Sequence, residues 1–122
     1  MKVVAYVPDL MDRSRISGVA GVAGVAGVGG VAGVGGKAVE IEFVSNPGGL
    51  REPAASADLV IVDLGRPGVL EVLAGIGAPT VGFGSHVDRD LLAAAHASGC
   101  DQVLARSAFF GRLPSLLGDG SR

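Results

Sequence analysis

Apolar residues fall in five short blocks along the chain, and each block is separated from the next by turn residues or by a segment of helical spacing. Lys2 to Val7 is the first block, rich in β-branched residues. Val39-Glu40-Ile41-Glu42-Phe43-Val44 alternates strictly, which predicts a half-exposed edge strand. Leu59-Val60-Ile61-Val62 is apolar at every position and predicts a central parallel strand covered on both faces. Thr80 to Phe83, following Ala78-Pro79, predicts a fourth strand, and Gln102-Val103-Leu104 a fifth.

Helical signals lie between these blocks. Asp9 is a good cap for a helix beginning near Leu10, with Asp12, Arg13 and Arg15 as a polar first turn. A weak helix is expected around Leu50 to Ala55, where Gly48, Gly49 and Pro53 crowd it. Pro67 suits the first position of a helix running through Leu73. Ser85 and Asp88 form a capping-box pattern ahead of Val87, Leu91, Leu92 and Ala95 on one face, with Gly99 as the stop. Ser107 is expected to cap a last helix from Ala108, which Pro114 kinks or restarts. Strict β/α alternation gives right-handed crossovers and a sheet covered on both sides. The expected fold is therefore α/β: a doubly wound three-layer sandwich on a parallel five-stranded sheet, with the alternating strand at an edge and the order 2-1-3-4-5.

One segment breaks the alternation. Residues 18–36 contain only Gly, Val and Ala, in triplets with an extra Gly at Gly30 and Gly36. Each Gly costs a helix about 1 kcal/mol relative to Ala, so tertiary packing must hold any helix there. Its first part is expected to continue the helix from Leu10, and Gly27 to Gly36 to fray or form a loop. The segment has the length of a membrane span but none of the Leu, Ile or Phe that drives insertion, so no span is expected. The bland explanation is repeat expansion in a tolerated connection; the functional one is a small-residue face for close packing.

Composition narrows the function classes. At 122 residues there is room for one domain over 1–122, and 48% hydrophobic residues suffice for a core without Trp. Ten Lys and Arg against twelve Asp and Glu, without a basic run, give no footprint for nucleic acid. Cys100 is the only cysteine and forms no internal disulfide; with no signal-peptide pattern ahead of Pro8-Asp9, a cytoplasmic setting is expected. Phosphate-loop, dinucleotide-loop and zinc-type spacings are absent, and no enzyme is indicated.

The segment Asp58-Leu-Val-Ile-Val-Asp63-Leu-Gly-Arg-Pro67-Gly68 resembles the third strand and following loop of bacterial response-regulator receiver domains. Ala78 to His86, Leu91 to Gly99 and Asp101 to Leu104 resemble that family's fourth strand, fourth helix and fifth strand in order and spacing. The likeness covers about two-thirds of the chain and implies a flavodoxin-like, receiver-like domain in signal transduction, with a protein partner. It also implies phosphoryl transfer to an aspartate, for which a Mg²⁺ ion, a hydroxyl and a lysine neutralise the phosphoryl oxygens. Asp63 holds the acceptor place. The acid-pair places hold Val7 and Pro8, with Asp9 adjacent; the hydroxyl place holds Gly84, with Ser85 adjacent; the lysine place holds Ala105, with Arg106 adjacent. No lysine follows Lys37.

Three readings follow from these departures. The favoured one is a regulatory or protein-interaction module without standard aspartyl phosphorylation, acting through its last helix and fifth strand. In the second, Asp63 accepts a phosphoryl group, with Asp9 and Asp63 holding the metal and Ser85 and Arg106 substituting. In the third, the rim at the strand carboxyl ends binds a small anionic or nucleotide-like ligand. Asp9, Arg13, Arg15, Ser45, Asn46, Asp63, Arg66, Ser85, His86, Arg106 and Ser107 are all expected near that rim. Each has an ordinary alternative: Asp9, Ser85 and Ser107 as helix caps, Asp63 as a turn cap, His86, Arg13 and Arg15 as solvated side chains.

Overall fold

The computed structural model describes residues 1–24 and 39–119. Five parallel strands, β1 (Lys2–Tyr6), β2 (Glu40–Phe43), β3 (Leu59–Asp63), β4 (Thr80–Gly84) and β5 (Gln102–Ala105), form one sheet in the order β2-β1-β3-β4-β5. This is the doubly wound parallel sheet that the alternation predicts, in the flavodoxin-like arrangement that the resemblance implies. The helices are α1 (Leu10–Gly24), α2 (Arg51–Ala54), α3 (Val69–Leu73), α4 (Arg89–Ala97) and α5 (Arg106–Pro114). A 3₁₀ turn, Pro47–Leu50, leads into α2, and a wider helical turn, Ser115–Asp119, follows Pro114. The expected loop over Gly27–Gly36 lies outside the described residues.

Burial follows strand position. β1 and β3 are buried almost throughout, whereas β2, at an edge, alternates exposed and half-buried residues as its Glu-Ile-Glu-Phe sequence requires. Because side chains alternate across a strand, one sheet makes two cores. Val3, Ala5, Ile61, Val81 and Phe83 pack beneath α1 and α5 with Ile16, Phe109, Leu113 and Leu117. Val4, Val60, Val62 and Leu64 pack on the opposite face with Leu50, Val69, Val72, Leu73, Ala95 and Cys100. Gly82 is needed there, since a Cβ would sit 2.7 Å from Leu64 Cδ2.

Several helix starts differ from expectation. The α4 cap is Asp88, which accepts from Leu91 N at 3.4 Å; Ser85 accepts from Val87 N instead, and Val87 is exposed rather than in the core. The β4–α4 loop needs three residues to leave the sheet, so the capping-box pattern lies one turn too early. α3 begins after Gly68, at φ 84°, rather than at Pro67: a left-handed residue turns the chain into the helix. α5 begins at Arg106 with Ala105 at the cap, so Ser107 lies inside the first turn and caps nothing. β5 passes directly into α5 and leaves no loop in which a serine cap could sit.

Candidate functional site

Strand register decides which loop residues meet. Asp63 at the end of β3 pairs with Phe83 of β4, which pairs with Leu104 of β5, and Gly84 pairs with Ala105. Arg106 follows at once as the first residue of α5. Asp63, Ser85, His86 and Arg106 therefore line one open cleft of about 460 Å³, together with Phe83 and Ser107. Their separation in sequence is closed by parallel pairing alone.

The centre of the charge distribution is Arg106. Its Nη2 donates to Asp12 Oδ1 across 94 positions of sequence, tying the start of α5 to the first turn of α1. The Asp12 side chain is 2% exposed and that of Arg106 is 47% exposed, so a buried carboxylate is answered by a half-open guanidinium. Asp12 Oδ2 is buried and accepts no hydrogen bond among the described residues. The Asp12 hydrogen bond holds Arg106 above its ordinary arginine range, and the charges of Asp12, Asp63 and Asp9 add to this against partial desolvation. The guanidinium also lies 5.3 Å from the Phe110 ring centroid and 5.8 Å from that of Phe83.

The other acids are held locally. Asp9 Oδ1 accepts Met11 N at 2.9 Å and Asp12 N at 3.1 Å, capping α1. Asp63 Oδ1 accepts Gly65 N at 3.0 Å, while Oδ2 accepts Arg66 Nε at 3.2 Å. Arg13 turns away from the cleft, donating to Val7 O at 2.6 Å and lying over Phe43. Asn46 caps its 3₁₀ turn through Gly49 N. Arg15 stacks on Phe110 at 3.8 Å from the ring centroid. His86 is exposed and makes no hydrogen bond among the described residues.

Asp12 is the residue that sequence reasoning missed. It reads as one member of a polar first turn, yet Asp12, Ile16 and Val19 recur at helical spacing, and Ile16 is fully buried. An acid one turn from Ile16, on the side of α1 that packs against the sheet, needs a cation, and the i, i+4 spacing of Asp12 and Ile16 was the available signal.

The donor set can be compared with what Mg²⁺ requires, namely open oxygens in near-octahedral array. Asp9 is engaged by its own helix, Asp63 by its own loop, and Asp12 by a guanidinium that already supplies the positive charge. Among the described residues no three His, Cys, Asp or Glu side chains are grouped to hold a metal ion. Asp63 is committed at both oxygens, whereas Asp9 and Asp12 each keep one oxygen outside the hydrogen bonds described.

Solved structures with this fold include a response regulator from Hahella chejuensis, with a TM-score of 0.71 and 21% identity over 95% of this chain and 91% of that one. The signal receiver domain of the response regulator NarL from Mycobacterium tuberculosis aligns with a TM-score of 0.71 and 14% identity, covering 99% and 97%. The phosphorylated cyanobacterial phytochrome response regulator RcpA aligns with a TM-score of 0.66 and 18% identity, covering 97% and 89%. No protein-family model and no curated protein matches the sequence. The chain is thus a receiver-like domain by fold.

Proposed function

We propose that this chain is a receiver-like regulatory module that works by protein contact and not by the usual aspartyl phosphorylation. One observation carries the reading: Arg106, bound to buried Asp12, places a tethered cation where phosphoryl chemistry uses a metal ion and a mobile lysine. A guanidinium fixed by an ion pair cannot be exchanged or withdrawn as the charge of a phosphoryl group comes and goes. The contact surface in this reading is β5 with α5, where Gln102, Ala108 and Arg112 are exposed.

The competing reading, phosphoryl acceptance by Asp63, is favoured by the shared cleft of Asp63, Ser85 and Arg106. One experiment separates the two. After incubation of the chain with Mg²⁺ and acetyl phosphate, intact mass should be unchanged. Gain of one phosphoryl group, lost in Asp63→Asn, would establish the competing reading. For the contact surface, a photo-cross-linking residue at Ala108 should capture a protein in cells of origin, while one at Ala93 on α4 should not. Equal capture from both positions would remove β5 and α5 as the contact surface.

A further inference from the structure

A second cleft, of about 400 Å³, lies between α1 and α5 and is lined by Arg15, Arg106, Ser107, Phe110 and Gly111, without an acidic side chain among them. Both guanidinium groups face the same ring: Arg15 lies 3.8 Å and Arg106 5.3 Å from the Phe110 centroid. Stacking restrains a guanidinium while leaving its in-plane N–H groups free to donate. Arg15 makes no ion pair and Ser107 no side-chain hydrogen bond among the described residues. Gly111 adds no side chain, and a Cβ there would meet nothing within 4 Å, so the cleft floor is open.

We propose that this cleft binds an oxyanion of the phosphate class, held by Arg15, Arg106 and the Ser107 hydroxyl. Two cations forced to one ring repel each other, and Asp12 neutralises only Arg106, so one positive charge remains uncompensated in the cleft. Asp12 occupies Nη2 of Arg106 and orients the rest of the guanidinium; in this role it is a positioning residue. A tetrahedral anion has oxygens for two guanidinium groups and a hydroxyl at once, whereas a carboxylate has only two. The site shares Arg106 and Ser107 with the Asp63 cleft, but its own members, Arg15, Phe110 and Gly111, lie on α1 and α5, and anion binding there is tested without assuming the protein-contact reading.

The test is a titration of the full chain with inorganic phosphate at constant ionic strength, chloride replacing it, followed by NMR of backbone amides and arginine Nε groups. Saturable shifts are expected at Arg15, Arg106, Ser107 and Gly111. Arg15→Gln should weaken binding about ten-fold and Ser107→Ala about three-fold, as loss of a charge-assisted and of a neutral hydrogen bond would. Ser107→Ala should leave the melting temperature unchanged, and Arg15→Gln should lower it only by the loss of its stacking on Phe110. Parallel titrations with glycerol phosphate and acetate identify the source. Tighter binding of the ester means a phosphorylated metabolite, and equal binding means free phosphate; either supports the site. Shifts that chloride reproduces, that do not saturate, that persist equally in Arg15→Gln, or that acetate matches would overturn it.

Discussion

The two faces of the sheet are built from the same strands but differ in kind. Beneath α2, α3 and α4 the core is largely aliphatic, closed by Leu50, Leu64, Val72, Leu73 and Ala95 without a buried charge. Beneath α1 and α5 it is aromatic, with Phe83 and Phe109 stacked 4.5 Å apart and Phe110 set against both. Among the described residues, only there is a carboxylate, Asp12, buried. The difference shows how a half-buried guanidinium becomes tolerable: ring faces replace part of its lost hydration, and the aliphatic face has no such surface to offer. One face supplies packing, while the other supplies packing together with the chemistry.

Large-to-small substitutions give the broadest way to break that contrast. Phe109→Ala should cost about 4 kcal/mol in urea unfolding and Leu50→Ala about 3 kcal/mol, since each leaves a cavity in one face. If Phe109→Ala costs less than about 1 kcal/mol, the aromatic face is not a true core.

The aliphatic face has its own titratable group in Cys100, whose thiol burial pushes up to about 11 from an ordinary 9.0. An unfolded thiol ionises near 9 while the folded one keeps its proton, so this contribution is complete below pH 9 and is lost as pH rises towards 11. On the order of 2–3 kcal/mol should disappear over that window. Cys100→Ala should flatten this limb of the stability profile; an unchanged limb would assign it elsewhere.

On the charged face, Arg106→Ala leaves Asp12 buried without its cation. Complete burial of both partners would give 3–5 kcal/mol; with Arg106 half exposed to solvent, about 2 kcal/mol is expected. Asp12→Leu combined with Arg106→Ala should recover most of that loss, because the buried charge is removed as well. Additive losses in the double variant would mean that the pair is not coupled.

The smallest comparison sets the two caps against each other. Asp9→Ala on α1 should cost about 1 kcal/mol, and Asp88→Ala on α4 about half as much, because Asp88 reaches Leu91 N only at 3.4 Å. Thermal unfolding reads both, and a larger loss at Asp88 would reverse the order.

Much of the candidate site was legible because strand ends in a parallel sheet share one edge. Asp63, Ser85, His86 and Arg106 follow or end three neighbouring strands, and they line one cleft. Arg13 was on the expected rim but serves the end of β1, since its length lets it reach Val7 O rather than solvent. The caps at Ser85 and Ser107 were misread because a Ser marks a helix start only where the connection ends: the β4–α4 loop runs on past Ser85 to Asp88, and β5 enters α5 with no loop ahead of Ser107.

Hydrophobic periodicity determined the strands and which of them lie centrally or at an edge, an all-apolar β3 inside and an alternating β2 outside, and the right-handed crossover of a doubly wound sheet supplied the order. Only the tertiary structure decided which cation answers Asp12, namely Arg106 from 94 residues away. The physical reason is range. Periodicity is a local property of a few turns or strand residues, whereas an ion pair between α1 and α5 exists only after four strands have brought their ends to one edge.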